Sequence, residues 1–307
     1  MIEVCKTDDY IDFYLWRFDR SRKEDPKIDG IYFDLMQFPA CTRTDHQHGY
    51  AAGGGTRRPT WNIREHRKFL ERIYCYCKLE ADNAPVIMHM SGATARIGGF
   101  SFADYYLDGE LWSDVLVRDR SYRAMRLDQF RAEALPHIYG PGFIWICQLH
   151  RILPFVPANQ RKGWQLEPWA ERHMAGILLL HDIIPDRTSQ FDTAYRIWLA
   201  LDRFGLAEED RYLPYYEQPD RFAANADGIH TAVTGFAGRG KLLLVCFNNR
   251  DAAFTFKVNT GLRDYAGGPS TSPVVRDLES QTELPATGPT VDVVVPERNF
   301  RLIEIDF

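Results

Sequence analysis

The sequence predicts an α/β fold: a partial β/α barrel of the TIM type over residues 1–212, followed by an all-β antiparallel sandwich over residues 213–307. Three observations predict it. In the first two thirds of the chain, short apolar runs alternate with amphipathic helical stretches, the signature of βαβ units and a parallel sheet. In the last third the helical periodicity stops, and short alternating runs separated by turn residues replace it. Two of the early apolar runs also end on acids, Ile28-Asp29-Gly30-Ile31-Tyr32-Phe33-Asp34 and Tyr105-Tyr106-Leu107-Asp108-Gly109-Glu110.

The first helix is predicted over residues 8–22, with Asp8 or Asp9 as its cap and Ile11, Tyr14, Leu15 and Phe18 on one face. Asp25-Pro26 stops it, and a strand follows over Gly30–Asp34. Residues 35–60 read as one long loop with Pro39, Gly49, Gly53-Gly54-Gly55 and Pro59; loops of that length inside a domain usually carry function or stay disordered. Thr60 or Asn62 caps a second helix over 63–79, with Ile63, Phe69, Leu70 and Ile73 opposite a basic face. Val86–Met90 is nearly all apolar, as a strand buried in a parallel sheet must be. Further strands are expected at Ala103–Leu107 and Phe143–Leu149, and further helices at Arg126–Leu135, Pro168–Leu180 and residues 189–204. A short strand before Asp186 would follow the third of these.

The sandwich strands are predicted at Ile229–Val233, Leu242–Phe247, Ala253–Val258, Val274–Leu278, Val291–Val295 and Phe300–Ile305. Gly238-Arg239-Gly240, Asn248-Asn249 and Gly267-Gly268-Pro269 supply turns between them. A closed (β/α)8 barrel needs eight strands in about 250 residues. The pattern here provides roughly half of them, so the barrel is expected to be partial, with a missing N-terminal half or a partner chain completing it.

Composition narrows the class. The chain has 307 residues, 45% of them hydrophobic, enough for a sizeable core. Its net charge of −5 and the lack of any Lys/Arg block argue against nucleic acid as a partner. No apolar run is long enough to span a bilayer, so no membrane partner is expected. The first ten residues are polar and acidic and do not read as a signal peptide. The six cysteines, Cys5, Cys41, Cys75, Cys77, Cys147 and Cys246, are scattered without zinc-site spacing and read as small hydrophobes rather than a disulfide framework. Aromatic residues make up 13%, which suits a cleft that stacks sugar rings. There is no dinucleotide fingerprint, no phosphate-binding loop and no serine nucleophile elbow.

The acids carry the chemistry. In β/α barrels the active site lies at the C-terminal ends of the strands, which is where Asp34 falls. Two carboxylates flanking one bond are the usual equipment for cutting a glycosidic linkage. Asp34 is therefore the candidate nucleophile. Glu110 is the candidate acid/base, since such a group needs an apolar setting and Leu111-Trp112 follow it. Asp108 supports them as a partner of a sugar hydroxyl or an arginine. His89, inside its short strand, reaches the pocket to bind a hydroxyl, with Ser91 and Arg96 as weaker candidates. His48 and Tyr50 come from the long loop folding over the sugar, and Trp145 and Gln148 line the wall, with Asp182 and Asp186 as possible additions. No cofactor and no metal is required by this set.

The segments Ile28–Asp34, His48-Gly49-Tyr50, Arg64–Lys78, Met88-His89-Met90-Ser91, Ser101–Asp104 and Asp108-Gly109-Glu110 together resemble a glycoside-hydrolase-like barrel family of bacterial polysaccharide-degrading systems. The resemblance covers most of the chain. It implies a TIM-type barrel with a C-terminal β-sandwich, an O-glycosyl hydrolase activity on a glycan, and a secreted or periplasmic location. By analogy with retaining α-glycosidase barrels it places the nucleophile at Asp34 and the acid/base at Glu110. Members of that family are longer, with further N-terminal strands.

Two other readings compete. A truncated or non-catalytic carbohydrate-binding remnant fits a half barrel with an exposed sheet edge. A metal-dependent hydrolase fits Asp45, His46 and His48 in the long loop with His89 as a further ligand.

Overall fold

A computed structural model of the chain describes residues 4–24, 28–34, 38, 40–81, 83–91, 100–134, 140–185, 191–267, 272–286 and 288–307. The chain divides into two compact units, Met1–Asp108 with Gly140–Phe143, and Gly109–Tyr139 with Ile144–Phe307.

The first unit opens with helix α1 (Asp8–Lys23). Thr7, not Asp8 or Asp9, caps it: its backbone is extended and its hydroxyl accepts from the Tyr10 amide at 3.4 Å. Asp8 and Asp9 instead occupy the first turn, and Arg20, Arg22 and Lys23 the last, each sign matching the helix dipole. Strand β1 (Ile31–Phe33) follows, and Asp34 is the residue after it.

The expected long loop is not featureless. It contains β2 (Ala40–Cys41), β3 (Tyr50–Ala51), β4 (Arg57–Arg58) and β5 (Thr60–Trp61). β2 pairs antiparallel with β5, and β3 with β4. Two-residue pairings are too short to show a period of two in the sequence, which is why pattern alone reads this stretch as loop.

Helix α2 (Ile63–Leu79) buries Phe69, Leu70, Ile73 and Cys77. Phe69 meets Tyr14 of α1 and Phe33 of β1 edge to face, at 5.0 and 5.7 Å between ring centres. Lys68 to Asp8 and Arg72 to Asp12, both 2.6 Å, tie the outer faces of α1 and α2. Strands β6 (Val86–His89) and β7 (Tyr105–Asp108) complete the parallel run, with Phe33 opposite Met88 and His89 opposite Leu107. Asp104 anchors the start of β7, accepting from Lys78 Nζ at 2.8 Å and the Val86 amide at 2.7 Å. The strand therefore begins at Tyr105, two residues later than the apolar pattern indicates.

β8 (Gly142–Trp145) straddles the division between units. It ends at Trp145 rather than Leu149, and three residues on Gln148 takes a left-handed backbone, φ +52°, which no strand continues through. In the second unit, α3 (Ser113–Asp119) is a helix the sequence pattern does not reveal, and α4 (Leu127–Ala134) falls where expected. α5 (Ala170–Leu180) starts two residues after Pro168, followed by β9 (Ile184–Pro185), parallel to β8, and α6 (Phe191–Phe204). Asp186 and Arg96 lie outside the described residues.

The remaining strands are β10 (Arg211–Leu213), β11 (Thr231–Gly238), β12 (Lys241–Asn248), β13 (Phe254–Asn259), β14 (Val274–Asp277), β15 (Thr282–Glu283), β16 (Thr290–Val295) and β17 (Asn299–Asp306). They form a six-stranded sheet in the order β10-β11-β12-β17-β14-β15 and a two-stranded β13-β16 sheet, with every pairing antiparallel. Phe222, Val233, Leu244, Phe256, Val293 and Ile303 belong to the core these sheets share. β16 alternates, with Val291, Val293 and Val295 buried and Asp292 and Val294 exposed. β11, β12 and β17 are buried on both faces, since α5 covers the face turned away from the core. The approach is close: a Cβ on Gly176 of α5 would lie 2.6 Å from the Phe247 ring.

The parallel strands amount to a partial barrel at most, with no closed barrel among the described residues. No described helix is long and apolar enough to cross a membrane.

Candidate functional site

Parallel pairing in register brings the carboxyl ends of β1, β6 and β7 to one edge, the edge where ligands bind in α/β sheets. Asp34, His89 and Asp108 sit there. With its proton on Nδ1, His89 donates to Asp34 Oδ1 at 2.7 Å. The Tyr32 hydroxyl is 2.8 Å from the same nitrogen and donates to Asp34 Oδ1 at 3.4 Å. The His89 side chain is 7% exposed and the Asp34 carboxylate 62% exposed. A buried imidazole thus orients a carboxylate that faces solvent. On the next strand the Ser91 hydroxyl donates to Asp108 Oδ1 at 3.0 Å. Tyr50, on β3, is 56% exposed.

Glu110 lies in the second unit, at the start of a 3-10 turn over Glu110–Trp112. Gln148 donates to Glu110 Oε1 at 2.9 Å, and Gln148 itself is 3% exposed. The residue before Glu110 has to be glycine. Gly109 has φ +122°, and a Cβ there would lie 2.7 Å from the Ile146 carbonyl oxygen and 3.0 Å from the Trp145 ring. Trp145 is 1% exposed and packs edge to face on Phe130, 4.8 Å between centres. The Tyr122 hydroxyl donates to the Cys147 carbonyl, fixing the turn that carries Gln148.

His48 is placed elsewhere in the first unit. It is 7% exposed, with Nδ1 3.9 Å from Cys5 Sγ, Nε2 3.6 Å from Glu65 and its ring edge to face with His46. Cys5, Cys41, His46 and His48 bring one ligand-type atom each to within 4.8 Å of one another. His89 is outside that group. Burial opposes ionisation of the Cys41 thiol, but the Arg43 amide and the Cys5, His48 and His46 side chains hold it down to about 6. Burial, with Cys41 alongside, pushes the Cys5 thiol up to about 11. Sequence reasoning found His46 and His48 and missed both cysteines. The available signal was Cys41 five residues before His46, three soft donors within eight residues.

No family model matches the sequence, and no curated protein matches it. Solved structures do match. An α-amylase from Geobacillus thermoleovorans superposes with a TM-score of 0.60 at 9% identity, over 99% of this chain and 65% of that one. An α-amylase from Anoxybacillus gives 0.57 at 9% identity, over 98% of this chain and 64% of that one. A maltogenic α-amylase from Thermotoga neapolitana gives 0.55 at 10% identity, over 98% and 67%. The fold is glycoside-hydrolase-like. At such identities the likeness extends to the fold alone, and the chain spans about two thirds of the length of these amylases.

Proposed function

We propose that the protein is a glycoside hydrolase that cleaves a glycosidic bond in a glycan with Asp34 as nucleophile and Glu110 as acid/base. The observation that carries this reading is the Asp34–His89 contact at the carboxyl end of a parallel sheet, in a fold shared with α-amylases. A nucleophilic carboxylate must point one way and keep one oxygen available to the anomeric carbon. The His89 hydrogen bond engages Oδ1 and leaves Oδ2 for that role. Gln148 does the corresponding work for Glu110, orienting the carboxyl that exchanges a proton with the glycosidic oxygen by donating to Oε1.

In this reading Asp108, His89, Tyr50 and Gln148 contact sugar hydroxyls, and Trp145 supports the wall from behind. His48 is assigned to its sulfur neighbours instead. The proposed division of the chain is a partial β/α barrel over 1–212 and a β-sandwich over 213–307, and further barrel strands come from a longer chain or a partner.

The test is turnover on a panel of aryl glycosides and oligosaccharides. Asp34→Asn and Glu110→Gln should each reduce kcat at least about a hundredfold while glycan binding persists. Full rates in both variants would sink the assignment. Binding by a wild type that never turns over would favour the non-catalytic alternative.

A further inference from the structure

We propose that Cys5, Cys41, His46 and His48 bind one zinc ion in a closed, tetrahedral structural site that clamps the start of α1 to the segment after β1. The reading is independent of the glycosidase proposal.

The donor set comes first. Two thiols and two imidazoles are the combination structural zinc uses. Zn–S near 2.3 Å and Zn–N near 2.0 Å in a tetrahedron imply edges of about 3.3–3.8 Å between ligand atoms. Cys5 Sγ to His48 Nδ1 is 3.9 Å, Cys41 Sγ to His46 Nδ1 is 3.8 Å, and all four ligand atoms fall within 4.8 Å. The two sulfur–nitrogen contacts need contraction by a few tenths of an ångström and the widest separation in the set by up to about 1 Å, within the reach of side-chain rotation.

The outer contacts come second, one for every ligand. Metal-bound histidines direct their other ring nitrogen at a carboxylate or carbonyl that fixes the ring. Both histidines here turn Nδ1 toward a sulfur. His48 turns Nε2 toward Glu65, 3.6 Å away, and His46 turns Nε2 toward Asp45, 3.8 Å away. The sulfurs have donors of their own. The Arg43 amide donates to Cys41 Sγ at 3.5 Å, and Asn62 Nδ2 donates to Cys5 Sγ at 3.4 Å. Asn62 occupies the N-cap position of α2, yet its side chain makes no capping bond. A residue that normally stabilises its own helix is turned to a distant thiol instead.

Four protein ligands leave no position for water, so the site is structural and generates no metal-bound nucleophile. Zinc binding displaces the thiol protons and holds Cys5 and the Cys41–His48 segment, far apart in sequence, in one geometry. The segment held this way leads directly into Tyr50.

The full-length protein, purified without chelator or affinity metal, should contain about one zinc per chain by elemental analysis. Cys41→Ser and His46→Ala should each lose it, whereas Cys75→Ser, an exposed cysteine outside the cluster, should keep it. Exchange with cobalt should give the intense visible d–d absorption and sulfur-to-metal charge-transfer band of a tetrahedral thiolate site. That spectrum needs only the wild type, so it decides the matter if the variants fail to fold. After denaturation in chelator all six cysteines should titrate as thiols. Zinc-free protein that takes up no cobalt, or protein two thiols short through a Cys5–Cys41 disulfide, would overturn the proposal. So would zinc retained in full by Cys41→Ser.

Discussion

The antiparallel sheets of the second unit and the excursion between Ala40 and Trp61 in the first are held by opposite means. The sheets rest on burial: Phe247, Phe256 and Phe300 are all 0% exposed, and their strands pair over six to eight residues. The excursion has two-residue ribbons and almost no core. Its fixed points are polar and specific: the thiol–imidazole cluster, the Thr60 hydroxyl accepting from the Gly49 amide at 2.8 Å, and the Arg57 guanidinium on backbone carbonyls. Apolar burial is spread over many residues and tolerates the loss of any polar contact. Directional clamps concentrate stability in a few atoms. Substitutions in the two regions should therefore differ in reach as well as in size.

The largest effect is expected in the sheets. Phe256 belongs to the core that β13 and β16 share with the larger sheet. Phe256→Ala removes a buried ring and leaves a cavity, a loss of about 3–5 kcal/mol. Denaturant unfolding followed by tryptophan fluorescence should show the midpoint falling. A loss under about 1 kcal/mol would mean that this core does not carry the stability assigned to it.

A smaller effect, again confined to the buried side of the comparison, comes from pH. His173 and His181 are both 0% exposed, and burial pulls each down to about 4 from an ordinary value of 6.5. His173 hydrogen-bonds Asn249 at 2.7 Å, with Arg298 and Asp251 nearby. His181 bridges the Ile177 carbonyl and the Tyr215 hydroxyl at 2.7 and 3.0 Å, with Arg131 nearby. Their folded-state values are depressed, so the unfolded chain takes up protons first as pH falls. The stabilisation is complete above about pH 6.5 and drains away between there and about pH 4. By pH 5 the loss is about 2 kcal/mol per histidine. Thermal unfolding across that range should show it, with a shallower slope in His181→Gln. An unchanged slope in that variant would assign the pH dependence to other groups.

The same contrast explains what the sequence made legible. β16 was readable because period-two burial leaves its mark directly in residue type, as Val291, Val293 and Val295 against Asp292 show, and β12 because burial on both faces leaves a continuous apolar run, whereas the two-residue β15 leaves no pattern. Helices α1 and α2 were readable from their apolar stripes. Asp34 and His89 were found because strand ends are marked by where an apolar run stops, and register then brings them to 2.7 Å. The cluster around Cys41 was only half visible. Its fourth member, Cys5, lies beyond a helix and a strand, and proximity of that kind is set by the packing of α1 on α2, which no local pattern encodes. The left-handed turn at Gln148 and the forced glycine at 109 were hidden for a similar reason: each answers to a neighbour, Glu110 in one case and the Ile146 carbonyl in the other.

The smallest expected effect tests the excursion itself. Arg57 Nε donates to the Thr42 carbonyl at 2.8 Å, and Nη2 to the carbonyls of His48 and Gly49, the latter at 3.1 Å. One side chain thereby closes the loop that contains His46 and His48. Gly49 adds to the closure, since its φ of +82° and a would-be Cβ 2.8 Å from the Arg58 carbonyl allow only glycine there. Arg57→Met keeps the aliphatic stem and removes the donors. The Thr42 and Gly49 contacts are exposed, so water replaces the guanidinium there, and the cost is about 1 kcal/mol, or roughly a fivefold rise in local opening. Hydrogen exchange should register it at the Gln47 and His48 amides, which bond to the Thr44 and Arg43 carbonyls at 2.9 and 3.0 Å. Amides of β12 and β17 should exchange as in the wild type. If they quicken as well, the excursion is coupled to the sheets, and the contrast between concentrated and distributed stability fails at the place where it is sharpest.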